Sequence, residues 1–194
     1  MATKFLAKGE KLLVPEERDF NALVLKGAMD LLKGAKKIDR EVGAWDMVEL
    51  MKGEANVRRV MAKEDRVIPL LVSVLTGDNT PTAKYGAAAA LRGMVSQDSQ
   101  AGLRIADSLK PQVKSLVSQL EKSKDWKADS PQRSDLLKIA GICPACRTEV
   151  LARLNDLRLA TGDTVAKKNA EALVRDVNIE RVEAFRKDLV PYIQ

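Results

Sequence analysis

An internal period of 42 to 43 residues constrains what this chain can fold into more than any other feature. When "VIPLLVSVL" is set against "LKPQVKSLV", Pro69 and Pro111 stand 42 apart, and Leu71/Val113, Ser73/Ser115, Val74/Leu116 and Leu75/Val117 fall into register. At an offset of 43, Leu32 matches Leu75, Gly34 matches Gly77, and Gly43-Ala44 matches Gly86-Ala87. Two periods on, Gly77 and Gly162 are separated by 85, while Lys84/Lys167 and Arg92/Arg175 are separated by 83. Nearly three periods separate Asn56/Asn178, Val60/Val182 and Pro69/Pro191, each 122 apart. One unit of this length cannot bury its apolar face alone, so such units stack on one another and bury a continuous core.

The residues of the unit are those of helices. Aromatics make up only 4% of the chain, whereas Ala, Leu, Val, Lys and Glu abound, which favours helices packed through small and aliphatic side chains over a β-sandwich. The expected class is all-α. Proline is tolerated in the first helical turn, where its missing N–H has no partner to lose, so Pro69, Pro111 and Pro191 are expected to open equivalent helices. Thr80-Pro81 and Ser130-Pro131 add a hydroxyl cap before the proline, and Pro15 followed by Glu16 and Glu17 places acids at a positive helix end. Gly34, Gly77 and Gly162 are read as closing helices behind their last apolar turn. Leu70, Leu71, Val74 and Leu75 should bury one face, as should Ala87, Ala90, Leu91 and Met94.

The unit runs from a short N-x-x-R/E-V helix, through an I-P-L-L-type helix and a Gly-Asp turn, to an Ala-rich helix. It resembles the armadillo repeat, with the HEAT repeat as near neighbour. The resemblance covers Val14 to Gln194 and leaves residues 1–13 as an N-terminal extension. It is most specific from Asn56 to Val95; "EKSKDWKADSPQRSD" inserts about six residues into the third unit. The resemblance implies a right-handed α-solenoid of about four repeats that binds other proteins. Import-signal receptors of the armadillo family carry a Trp and, four residues on, an Asn along the last helix of each unit. The corresponding pairs here are Ala89/Gly93, Leu137/Gly141 and Ala172/Asp176, so that ladder is absent.

The chemistry-bearing residues are few. Without a single histidine the chain cannot build Ser-His-Asp or Cys-His nucleophile systems, and it lacks the commonest transition-metal ligand. Its glycines occur singly, with no Gly-Lys-Ser/Thr phosphate loop. No cofactor and no metal site are expected, and the chain is read as no enzyme. The sharpest local motif is "GICPACRTEV", in which Cys143 and Cys146 flank the Pro144 that opens a helix. A thiol there can have a lowered pKa, and a thiol redox module using Cys143 and Cys146 is one functional class to weigh. The other reading makes them small apolar fillers at a packed turn. Two cysteines without a wider framework are read as pointing to a reducing compartment. That reading places the protein inside the cell, in the cytoplasm or, for a processed chain, an organelle interior. The longest apolar runs, such as Val67 to Leu75, fall far short of a membrane span, and no secretory signal opens the chain.

The expected function is therefore a non-catalytic scaffold or adaptor that binds other protein subunits, as an accessory structural component of a larger hetero-complex. Two surfaces are expected to serve it. On the Ala-rich helices, Lys84, Tyr85 and Arg92 recur as Lys167, Lys168 and Arg175, and the equivalent positions of the first unit hold Glu41 and Glu49, so a groove running from acidic to basic is expected. At the end of the chain, "DLVPYIQ" stops where earlier units continue, so Leu189, Val190, Tyr192 and Ile193 form an apolar end suited to a partner. The competing class is a helical-repeat nucleic-acid binder. The net charge of +6 is mild and the seven aromatics are scattered, which argues against a continuous stacking stripe.

Overall fold

The computed structural model describes residues 13–178, apart from 54–57, 59, 62 and 65. Among the described residues there are eight helices of ten or more residues and no strand: α1 (Leu13–Leu32), α2 (Lys37–Lys52), α3 (Val67–Thr76), α4 (Pro81–Gln97), α5 (Ser99–Ser123), α6 (Pro131–Ile142), α7 (Pro144–Ala160) and α8 (Thr164–Asn178). The chain is all-α, as expected. None of these helices is long and apolar enough to cross a membrane.

The starts of α4, α6 and α8 follow the capping chemistry. Thr80 accepts the backbone N–H of Ala83 at 3.1 Å ahead of Pro81, and Ser130 accepts that of Arg133 at 3.4 Å ahead of Pro131. Asp163 caps α8 by accepting the N–H groups of Val165 and Ala166 at 2.8 and 3.2 Å. Those N–H groups, Ala166 foremost, hold its carboxyl below the usual aspartate range.

The expected equivalence of the prolines is corrected. Pro69 is in the first turn of α3, whereas Pro111 lies in the middle of α5, a single helix of 25 residues. In the third unit the two helices of the pattern are thus fused. The apolar face of Ile105, Leu109, Val113, Leu116 and Leu120 runs unbroken past the proline and is buried, so tertiary packing outweighs the lost backbone hydrogen bond. Pro191 lies outside the described residues. Gly34, Gly77 and Gly162 follow helix ends as expected, but without a left-handed backbone. Gly77 follows α3 in an extended conformation, φ −83° and ψ −177°, and no described glycine has a positive φ. What excludes a side chain at Gly77 is the Ser73 carbonyl oxygen, 2.6 Å from where a Cβ would sit. The left-handed cap is Lys124, φ 55°, which ends α5 ahead of the inserted loop.

Each helix makes its main contacts with helices one or two places along the chain. The odd-numbered helices follow one another, α1 to α3 to α5 to α7, and the even-numbered ones do the same, α2 to α4 to α6 to α8. Helix α4 touches α2, α3, α5 and α6, and its Ala87 to Leu91 are wholly buried. Only small residues allow so close an approach: a Cβ on Gly86 would lie 3.3 Å from the Ala44 Cβ, and one on Gly93 would lie 3.2 Å from Met51. The faces read from the sequence are inside, with Leu71, Val74 and Leu75 at 0% exposure and Leu70 packed at the margin.

Candidate functional site

The polar side chains of the even-numbered helices are tied to one another from unit to unit. Thr80, the cap of α4, donates its hydroxyl to the Glu41 carboxylate on α2. Lys84 of α4 pairs with Asp135 of α6, Nζ to Oδ2 at 2.5 Å. Arg133 of α6 pairs with Asp176 of α8 and also donates to the Trp126 carbonyl at 2.8 Å. The start of α2 is tied to the neighbouring turns in the same way: Lys37 reaches Asp78 at 2.7 Å, while Arg40 donates to Asn79 Oδ1 at 2.6 Å and to the Gly34 and Ala35 carbonyls at 2.7 and 2.9 Å. These residues line a shallow depression beside Leu32 and Leu70.

The centre of the ladder is a buried charge cluster. Asp135 faces two ammonium groups, Lys84 and Lys138, the second at 3.6 Å. The side chains are 5, 12 and 11% exposed respectively. Lys138 donates to Ser134 Oγ at 2.6 Å. Burial pulls the Lys138 ammonium below the usual lysine range, Asp135 opposes that shift, and Lys84 reinforces it. The Lys84–Asp135 pair ties α4 to α6, because separating the helices would leave the desolvated Lys84 ammonium without its carboxylate.

This geometry places the residues expected at a partner surface in different settings. Lys84 is turned inward to Asp135. Tyr85 is half-buried against the core, and Arg92 is half-buried and engaged within the molecule. Lys167, Lys168 and Arg175 are exposed on α8. Of the acidic counterparts, Glu41 is held by Thr80, and Glu49 pairs with Lys52 at 2.7 Å. Leu189, Val190, Tyr192 and Ile193 lie outside the described residues. Two exposed apolar residues not singled out from the sequence, Ile38 at 59% and Val42 at 44%, stand one turn apart on α2. Asp135, Lys138, Arg133 and Asp176 also escaped sequence reasoning as a network. The available signal was that Arg133 and Asp176, opposite in charge, are 43 residues apart, one period of the repeat.

Cys143 and Cys146 are buried at 2 and 0% exposure, as fillers would be. They are nevertheless joined to each other in a disulfide, so the number of cysteines alone does not decide the compartment. Among the described residues no three Cys, Asp or Glu side chains gather as metal ligands.

No family model and no curated protein matches the chain. Among solved structures it is similar to two engineered proteins from the Northeast Structural Genomics Consortium. One is 20% identical with a TM-score of 0.45, the match covering 86% of this chain and 67% of that one. The other is 19% identical with a TM-score of 0.46, covering 86% of this chain and 41% of that one.

Proposed function

We propose that the chain is a right-handed α-solenoid of armadillo/HEAT type acting as a non-catalytic scaffold or adaptor for other protein subunits in a larger assembly. One observation carries this reading: side-chain ties between units recur at separations near the repeat length, 39 for Thr80–Glu41, 41 for Lys37–Asp78, 51 for Lys84–Asp135 across the inserted loop, and 43 for Arg133–Asp176. Polar groups used in this way stiffen the array. The exposed side chains of its end units remain for partners: Ile38 and Val42 on α2, and Lys167, Lys168 and Arg175 on α8. Rigid stacked helices present these residues without the ordering cost a flexible segment would add on binding.

The test is purification of the native assembly followed by cross-linking and mass spectrometry. Repeating cross-links from Lys167 and Lys168 to one protein partner, lost together with copurification in a folded K167E/K168E/R175E variant, support the reading. A protein that runs as a free monomer from its native source, or that binds RNA with a steep fall as salt is added, refutes it.

A further inference from the structure

We propose that Cys143–Cys146 is a redox-modification site, a dithiol that exchanges with small disulfides of the glutathione class and so sets how firmly the α6–α7 turn is held against α5. The pair occupies the first turn of α7. Cys143 is the N-cap residue, extended at φ −156° and ψ 162°, and its Sγ accepts the backbone N–H of Cys146 at 3.1 Å. Pro144 occupies the first helical position between them. Of the two sulfurs it is that of Cys143 that accepts an N–H of this first turn, so Cys143 is assigned the attacking role. The same Sγ lies 3.6 Å from the Gly102 carbonyl oxygen of α5, 41 residues away in sequence. It also lies 3.8 Å from the position a Gly102 Cβ would take. The turn is thus seated directly on the neighbouring helix.

The burial of both sulfurs decides what kind of site this is. A protein substrate cannot reach them, so the pair is not built for repeated exchange with other proteins. A small disulfide, RSSR, reaches Cys143 when the turn opens. The Cys143 thiol gives its proton to solvent and its thiolate attacks one sulfur of RSSR. The S–S bond breaks, and RS⁻ leaves and takes up a proton, which leaves a mixed disulfide on Cys143. Cys146 then loses its proton and attacks the Cys143 Sγ, forming the internal disulfide and expelling the second RS⁻, which is protonated in turn. Two electrons pass from the two cysteines to one RSSR, giving two RSH; reduction by two RSH runs the same steps backwards. In the dithiol, the Cys143 S–H can donate to the Gly102 carbonyl. In the disulfide, the cap and the third helical position are covalently tied and the first turn of α7 cannot fray.

The experiment equilibrates the full-length protein in mixtures of reduced and oxidised glutathione, traps free thiols in acid and weighs the products. Hydrogen exchange and thermal unfolding are then followed in the two end states. The expected product is an internal disulfide, lighter by two hydrogens, with no stable mixed disulfide. The oxidised protein should melt roughly 4–8 °C above the reduced one, from closure of a very short loop. Slower exchange should be confined to 139–150 and the facing part of α5 around Gly102. The thermal gap should vanish in C143S/C146S. Cysteines that remain free at every glutathione ratio would overturn the proposal, as would oxidation that yields only intermolecular links or end states with equal melting and exchange. The comparison of the two wild-type states stands even if the double variant folds poorly.

Discussion

Gly43 is a position at which one added methyl group should be costly. It lies inside α2 where that helix crosses α1. A Cβ built on it would sit 2.8 Å from the Leu32 nitrogen, 2.9 Å from the Ala28 carbonyl oxygen and 2.9 Å from the Leu31 Cβ. Two of those atoms are backbone and the third is attached directly to it, so no rotamer change relieves the contact; α2 must back away from α1, loosening Ala28, Leu32, Met47 and Val48 around it. Overpacking of this kind costs about 1–3 kcal/mol, here at the upper end, while Ala is favoured over Gly inside a helix by about 1 kcal/mol. The net loss for Gly43→Ala should be about 2 kcal/mol, a fall in melting temperature of roughly 4–8 °C. Gly27→Ala, one helix earlier, tests the same arithmetic with the opposite sign. Gly27 is exposed, and its Cβ would meet nothing within 4 Å, so only the helix propensity remains and stability should rise by about 0.5–1 kcal/mol. Thermal and urea unfolding of both variants beside the parent decides the matter. A Gly43→Ala protein that melts at or above the parent would refute the close crossing of α1 and α2.

Asp135→Asn should cost about 3–5 kcal/mol, because Lys84 and Lys138 would then share a buried site without a carboxylate; a loss below about 1 kcal/mol by urea unfolding would show that Asp135 is not their counter-charge. Lys138 has a folded pKa below its unfolded value near 10.5, so between those two values the unfolded chain binds more protons. Stability should therefore rise with pH across that alkaline window. The rise should flatten in Lys138→Met, and identical pH profiles for the two proteins would exclude Lys138 as the source. Leu71→Ala removes a fully buried side chain of α3 and should cost about 2–5 kcal/mol; a loss under 1 kcal/mol would mean that α3 does not pack as described.

What was legible in the sequence was whatever a local rule writes into a few neighbouring residues. Thr80-Pro81 and Ser130-Pro131 cap helices because a hydroxyl followed by proline satisfies a first turn from within that turn. The i, i+3, i+4 spacing of Leu71, Val74 and Leu75 places them on one face wherever the helix docks, and the period of 42 to 43 residues required that helices meet their chain neighbours. The rest was decided by distance in space between residues far apart in sequence. Pro111 matches Pro69 letter for letter, yet only the continuous apolar seat under α5 determines that the helix runs through it. Lys84 looks like a surface lysine until α6 brings Asp135 within 2.5 Å. Its partner is 51 residues away, beyond an inserted loop whose length shifts the register. Gly43 and Gly93 read as ordinary helix interior, and the need for a missing side chain comes wholly from α1 and from Met51 of α2. Propensity and capping energies are set within one turn of helix. Charge pairing and steric exclusion are set across the gap between helices, which the chain closes only after it has folded.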